Sequence, residues 1–160
     1  MSRHGFKVPV GQLRQPFWRE FVELAKQQNK NLFRSRPSDR SGYCIAIGTG
    51  GFQVCLVLAV WKHKARCELY ITHSAAKRAF DLLEGQRIAI EEALGVPQWG
   101  LGEFTLEWQR LPHRKSCRIA EYRSIDLEKR DTWSELQRWF LTRAEAFHSV
   151  FAPVVRELQV

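Results

Sequence analysis

The feature that most constrains this chain is the segment 52–61, whose last eight residues, Val54 to Trp61, are all apolar. One face of a strand here would contain Val54, Leu56, Leu58 and Val60. The other face would contain Cys55, Val57, Ala59 and Trp61. A strand with this pattern is covered on both faces and lies inside a sheet. The preceding Gly48-Thr49-Gly50-Gly51 is rich in residues that tolerate positive φ, and it predicts a hairpin turn. We therefore expect a sheet that contains residues 52–61 as a central strand.

The segments on either side of this run predict four more strands and three helices. The predicted strands are residues 43–47, 66–72, 104–111 and 117–122. The predicted helices are residues 12–28, residues 74–94, and a third that begins at Thr132 and that Pro153 ends or kinks. Ser74 is the expected N-cap of the second helix, and Thr132 with Glu135 predicts a capping box for the third. The order α-β-β-β-α-β-β-α is typical of an α+β fold, with helices packed on an antiparallel or mixed sheet.

Length and composition indicate one domain in a reducing compartment. The chain has 160 residues, of which 44% are hydrophobic, and this suffices for one core. We expect a single domain over residues 1–160, with residues 1–11 as a flexible N-terminal tail. The longest apolar run is shorter than the roughly 20 residues of a membrane-spanning helix, and no signal-peptide pattern is present. The four cysteines lack close pairing, which favours reduced, buried thiols over a disulfide framework and predicts a cytoplasmic protein.

Basic residues give the chain a net charge of +8, which favours contact with phosphates. Many of them fall in three predicted connections. The members are Arg34, Arg36 and Arg40 in the first connector, Lys62, His63, Lys64 and Arg66 around one hairpin, and Arg114, Lys115 and Arg118 around another. If the three meet, they form one positive edge that binds DNA or RNA without sequence specificity, with Trp61 or Trp108 stacking on unpaired bases. The alternative is three separate solvated turns, with the tryptophans in the core.

A metal-dependent nuclease is the main enzymatic alternative, because the element order resembles the core of restriction-endonuclease-like enzymes. Such enzymes bind Mg²⁺ through an acid before one strand and an acid-x-Lys on the next. Lys62 fits that pattern, but Val60 stands where the acid belongs. Glu68 and Glu107 are the strand acids left for such a site. Their other interpretation is an exposed strand carboxylate paired with Arg66 or Arg118. We therefore expect no catalytic residue and no cofactor, unless the chain is a nuclease that uses Glu68, Glu107, Lys62 and Mg²⁺.

Two further kinds of site receive little support from the sequence. His63 with Cys67 and His113 with Cys117 repeat an H-x₃-C spacing, but a zinc site needs four ligands in close pairs. Aromatic residues on several faces of the last helix allow a homodimer that buries Trp133 or Trp139. The alternative is that neighbouring parts of the same chain cover them.

Several phrases together resemble a known bacterial family. They are FWREF, CELYI, KRAFDLLEGQRIAIEEALG, LEWQRLPHRKSCRI and DTWSELQRWFLTRAEAFHSVFAPVV. The chain resembles the family catalogued as domain of unknown function 4268, over about residues 16–158. The family has no assigned reaction, and its members occur alone or behind nuclease-like domains. The resemblance and the charge together predict a non-catalytic, nucleic-acid-associated or accessory module beside a bacterial nuclease or defence system.

Overall fold

The computed structural model describes residues 9–33, 41–95 and 105–160. Its helices are α1 (Arg14–Gln27), α2 (Ala76–Glu84), α3 (Arg87–Leu94) and α4 (Trp133–Arg156). Its strands are β1 (Gly42–Ala46), β2 (Phe52–Ala59), β3 (Lys64–Ile71), β4 (Thr105–Gln109) and β5 (Cys117–Ser124). Short 3-10 turns cover Val10–Leu13, Val60–Lys62 and Arg130–Thr132. No helix in these ranges is long and apolar enough to cross a membrane.

The strands form one five-stranded sheet in the order β1-β2-β3-β5-β4, and every neighbouring pair is antiparallel. The α+β prediction is confirmed, and the sheet is antiparallel rather than mixed. Strand β2 lies inside the sheet as its apolar pattern predicts, although β3 is the middle strand. The strand ends at Ala59 rather than Trp61, because the chain turns into a 3-10 helix at Val60.

All the buried apolar residues of the helices pack with one face of the sheet in a single hydrophobic core. We call this the inner face and the opposite one the outer face. Strand β3 shows the inner face clearly. Every second residue of this strand, Ala65, Cys67, Leu69 and Ile71, is fully buried there. Cys55, Val57 and Ala120, on the outer face, are also buried but stand outside that core cluster.

The second predicted helix is in fact two helices. Residues 74–94 divide at Gly85 and Gln86 into α2 and α3, so the prediction of one continuous helix is wrong. Ser74 does not cap α2: the side chain that accepts a hydrogen bond there is His73, whose Nδ1 lies 2.9 Å from the amide nitrogen of Ala75. This amide belongs to the residue before the helix, and α2 has no side-chain cap.

The last helix also departs from its predicted ends. Its N-terminus has no capping box, because the Thr132 hydroxyl donates to the Lys129 carbonyl at 2.6 Å and Glu135 pairs with Arg123. Pro153 does not end the helix, which continues to Arg156. A proline so close to the C-terminus removes one hydrogen bond of the final turn, while buried Phe151 and Val155 keep that turn in the core.

The cysteine prediction is wrong for one pair. Cys44 and Cys55 are register partners on β1 and β2, with Cα atoms 4.1 Å apart, and a disulfide joins them. Directly opposed residues of antiparallel strands come this close at non-hydrogen-bonded positions. The sequence separation of eleven residues does not show that these two cysteines are opposed. Cys67 and Cys117 are free and buried, as expected.

Candidate nucleic-acid interface

The two basic hairpins lie at opposite ends of the sheet. In the β3–β5 register Lys64 faces Ser124, whereas Ile71 faces Cys117. The turn before β3 is therefore separated from the turn before β5 by the length of β3, which is about 23 Å at 3.3 Å per residue. The expectation of one shared positive edge does not hold for these two turns. Arg34, Arg36 and Arg40 lie outside the described residues.

The turn between β2 and β3 places an exposed tryptophan among cations. We call Trp61, Lys62, His63 and Lys64 the hairpin tip; all four are exposed, and Trp61 is 93% exposed. Val60 is buried and anchors the turn, and the amide of His63 donates to the Val60 carbonyl at 3.1 Å. His63 has a φ of 50°, and its carbonyl accepts from the Ile125 amide at 2.9 Å. These bonds hold the tip in a defined shape while its side chains extend into solvent.

Trp61 differs from the other described tryptophans. Trp18, Trp133 and Trp139 are buried in the core. Trp108 is half-buried, its indole N–H donates to Glu91 at 3.0 Å, and the Arg87 guanidinium lies 5.6 Å from its ring centre. Of the two tryptophans that the sequence suggested for stacking, Trp61 is available and Trp108 is already engaged.

The outer face continues from the hairpin tip along β3 and β5. It presents Lys64, Arg66, Glu68 and Tyr70 on β3, Arg118, Ala120 and Tyr122 on β5, and Glu107 and Gln109 on β4. The Lys64 ammonium lies 5.7 Å from the centre of the Tyr122 ring. The Tyr122 hydroxyl accepts from the Gln109 amide at 2.9 Å, which fixes the orientation of the ring.

Two arginines share one carboxylate on this face. The Arg66 Nε donates to Glu68 Oε2 at 2.8 Å, and an Arg118 terminal nitrogen lies 3.7 Å from the same oxygen. Glu68 is buried, contrary to the exposed carboxylate that the sequence suggested. The Arg118 Nε is buried and has no hydrogen-bond partner. The cluster therefore carries one net positive charge, and its second guanidinium has unused donors.

The acids proposed for a nuclease are not gathered around Lys62. Glu68 and Glu107 both pair with Ala120, from opposite sides, so two interstrand spacings, about 10 Å, separate their Cα atoms. Glu107 accepts a hydrogen bond from Gln109 at 2.6 Å, and Lys62 lies beyond the end of β3. Within residues 9–33, 41–95 and 105–160, no three His, Cys, Asp or Glu side chains are grouped to hold a metal ion.

Comparison with known proteins assigns the chain to a family. The profile of domain of unknown function 4268 matches residues 13–155. The chain belongs to this family. No curated protein and no solved structure matches it.

The turn between β4 and β5 of this DUF4268 domain is basic but lacks a described exposed aromatic residue. His113, Arg114 and Lys115 are exposed there. Lys77 on α2 organises the turn, since its ammonium donates to three backbone carbonyls, of Arg110, of Leu111 at 2.7 Å and of Ser116 at 2.9 Å. This end of the sheet is therefore rigid and positively charged, with solvated side chains.

Sequence reasoning missed the ion pair that holds the most buried carboxylate of the described residues. Glu121 is 1% exposed on the inner face, where the Arg143 Nε donates to its Oε2 at 2.7 Å and a terminal nitrogen donates to its Oε1. Arg143 also donates to the Leu94 carbonyl at 2.7 Å, which ties α3 to α4. A signal exists in the sequence, because Glu121 shares the inward parity of Ile119 and Arg143 stands on the apolar stripe of α4. Opposite charges at two buried positions predict a partnership.

The aromatic surface expected for a homodimer is covered within the chain. Trp133 is 2% exposed and donates its indole N–H to the Leu127 carbonyl at 2.8 Å, and Trp139 is 7% exposed. Both belong to the hydrophobic core. The alternative that neighbouring parts of the same chain cover these rings is therefore the correct one.

Proposed function

We propose that this domain is a non-catalytic module that associates with nucleic acid through the hairpin tip, without sequence specificity. The observation that carries the proposal is Trp61, a large aromatic side chain that is 93% exposed and is followed in the chain by Lys62 and Lys64. A protein rarely leaves a tryptophan in water, because its burial contributes strongly to the core. A ligand that covers the ring offsets that cost.

Nucleic acid matches the chemistry of the tip. Lysine ammonium groups bind phosphates as point charges, and an indole stacks on any base because every base has a π-face. The backbone contacts and the stacking are both independent of sequence. The described helices bury their apolar residues in the core.

The wider setting is part of the proposal. The net charge of +8 favours a polyanionic partner. The resemblance-based association of the family with nuclease-like domains supports an accessory role beside a bacterial nuclease or defence system. In that setting the domain holds the nucleic acid while another domain or protein cleaves it.

A charge-matched pair of variants tests the proposal. Lys62→Gln/Lys64→Gln removes two charges from the tip, and Arg114→Gln/Lys115→Gln removes two from the opposite end of the sheet. Fluorescence anisotropy with a labelled oligonucleotide, over a salt series, measures both. If the tip contacts phosphates, the first variant lowers the slope of log K against log salt by about 0.7 per lost contact on a single strand. The second variant should leave the slope unchanged.

Two results would contradict this function. One is the absence of binding at low salt, and the other is binding that does not respond to salt, since phosphate contacts release counterions. Equal losses in the two variants would show a diffuse charge effect rather than an interface at the tip. Melting curves of both variants confirm that each is folded, which we expect because the substituted side chains are exposed.

The metal-dependent nuclease has weaker support, because the Glu68 carboxylate is already paired with two guanidinium groups. A cleavage assay with Mg²⁺ or Mn²⁺ decides between the two functions. Metal-dependent cleavage that is lost in Glu68→Gln or Glu107→Gln would replace the binding function with an enzymatic one.

A further inference from the structure

Resting on the proposed function, we infer that the ligand is a single strand, which runs from the hairpin tip across the outer face of β3 and β5 to Arg118. The proposal names both the substrate class and the path of the strand. It joins the Trp61 ring, which stacks on an unpaired base, to the Arg118 guanidinium, which binds a phosphate.

Cations and aromatic rings lie side by side at both ends of this path. From the tip, Lys64 lies against the Tyr122 ring, and Arg66 is the register partner of Tyr122. At the far end Tyr70 is the register partner of Arg118, and the Glu68–Ala120 pair lies between the two ends. Neighbours on one face are about 6.6 Å apart along a strand, so about 13 Å separates the two ends. Each end combines a phosphate-binding group with a ring that can stack on a base, as in sheets that bind unpaired nucleotides.

Arg118 has the properties of a phosphate-binding group at the end of the path. Its Nε is buried without a hydrogen-bond partner, and its ion pair with Glu68 spans 3.7 Å, which is too long for a hydrogen bond. The closer partner of Glu68 is Arg66, at 2.8 Å. A planar guanidinium with free donors binds a phosphate in a bidentate manner. A phosphate oxygen would supply the acceptor that Arg118 lacks.

Charge around the tip favours the outer face over the other exit. On the opposite side, His63 lines a recess of about 160 Å³ together with Asp126 and Glu128. These two carboxylates repel a phosphate backbone. A strand that stacks on Trp61 is therefore directed away from the recess and toward Lys64 and Arg66.

The exposed ring distinguishes a single strand from a duplex. In a duplex the bases are stacked on each other and paired, so the Trp61 ring has no free base face to cover. In a single strand the bases are unpaired, and stacking is available to any of them.

The test compares three ligands: a deoxythymidine oligonucleotide, the matching uridine oligonucleotide, and a DNA duplex of the same length. Each exceeds the about 4–16 nucleotides that one single-strand-binding domain covers. We expect the oligonucleotides to bind at least about tenfold more tightly than the duplex at equal salt, since stacking adds to the phosphate contacts. The two oligonucleotides distinguish DNA from RNA as the source of the strand.

Three variants test the path. Trp61→Ala should weaken single-strand binding about tenfold and leave duplex binding unchanged. Arg118→Gln should also weaken single-strand binding, and Arg118→Lys should restore part of it, because the charge returns without the bidentate fork. Lys115→Gln, at the opposite end of the sheet, is the control for loss of one charge. If Arg118→Gln unfolds, Arg118→Lys alone carries this part of the test.

Failure of this inference differs from failure of the proposed function. Duplex binding equal to single-strand binding would overturn the single-strand path, while a lower salt slope in Lys62→Gln/Lys64→Gln would still support binding at the tip. An unaffected Trp61→Ala variant would remove base stacking from both proposals. If Arg118→Lys loses no more single-strand affinity than Lys115→Gln does, Arg118 does not lie on the path. Absence of salt-dependent binding to all three ligands would overturn both.

Discussion

The inner and outer faces of the sheet are made from alternate residues of the same strands, yet their buried carboxylates are paired differently. The inner face of β5 contains Glu121, which is 1% exposed and is closed off by the Arg143 guanidinium and the helices. The outer face of β3 contains Glu68, which two arginines share without satisfying every donor. The first cluster is complete in itself, whereas the second has unused hydrogen-bonding capacity.

This difference lies in hydrogen bonding rather than in exposure. The three arginine side chains are similarly exposed, 18% for Arg143, 20% for Arg66 and 12% for Arg118. Arg143 donates to both oxygens of Glu121 and to the Leu94 carbonyl, whereas the Arg118 Nε has no acceptor. A donor without an acceptor can gain one from a ligand, which is the property that a binding surface requires.

The largest expected effect breaks the inner cluster. Arg143→Met leaves the Glu121 carboxylate buried without its cation, and it removes the hydrogen bond to the Leu94 carbonyl. Removing one partner of a buried pair costs about 3–5 kcal/mol of the free energy of unfolding. Urea denaturation monitored by tryptophan fluorescence measures the loss.

The double variant Glu121→Leu/Arg143→Met is the control for this effect. Two apolar residues replace both charges, and the stability should recover to within about 1–2 kcal/mol of the original chain, because no uncompensated charge remains. A single variant as stable as the original would show that the inner pair is not the isolated cluster described above.

A second expected effect concerns the disulfide at the edge of the outer face. The Cys44–Cys55 bond closes a loop with a sequence separation of eleven residues. In the chain-entropy account, a loop of this size stabilises the folded state by up to about 3 kcal/mol. Thermal unfolding with and without a thiol reductant should therefore give different melting temperatures. Cys44→Ala/Cys55→Ala should melt at the lower temperature and show no response to the reductant.

A smaller effect on stability is expected from Glu68→Gln, which sharpens the contrast between the faces. The amide still accepts from Arg66 and leaves no buried carboxylate without a cation, so we expect a loss of about 1–3 kcal/mol, below that of Arg143→Met. Single-strand binding should become tighter, because both guanidinium groups are released for phosphate. Glu107→Gln removes the same charge from exposed β4 and is the matched control. Tighter binding in both variants alike would indicate net charge alone.

The smallest effect concerns the inner face and depends on pH. Burial raises the pKa of the Cys67 thiol well above its ordinary value, and the Glu121 carboxylate raises it further. The unfolded thiol therefore ionises before the folded one as the pH rises, and the free energy of unfolding falls above about pH 9. Iodoacetamide labelling followed by mass spectrometry should find Cys67 unreactive in the native chain at pH 8 and reactive in urea. Labelling of Cys67 without denaturant would contradict its burial.

Local patterns in the sequence predicted much of the fold. The run of apolar residues identified β2 as a strand inside the sheet, and the buried Leu136, Phe140, Phe147 and Phe151 of α4 recur at helical spacing in the sequence. The predicted helix ends were less accurate. A hydroxyl near a helix start has several available partners, and Thr132 uses the Lys129 carbonyl instead of the helix amides.

The sequence by itself determined that the chain is a basic α+β domain with alternating faces, because periodicity and composition are properties of neighbouring residues. Only the tertiary structure decided which charges meet. Because β5 pairs antiparallel with β3, the two basic turns lie at opposite ends of the sheet. The same pairing brings Arg66, Glu68 and Arg118 together on one face. It also left Trp61 in solvent, although the apolar run had predicted a strand residue there. Strand order and register depend on contacts between distant segments, and no local pattern encodes them.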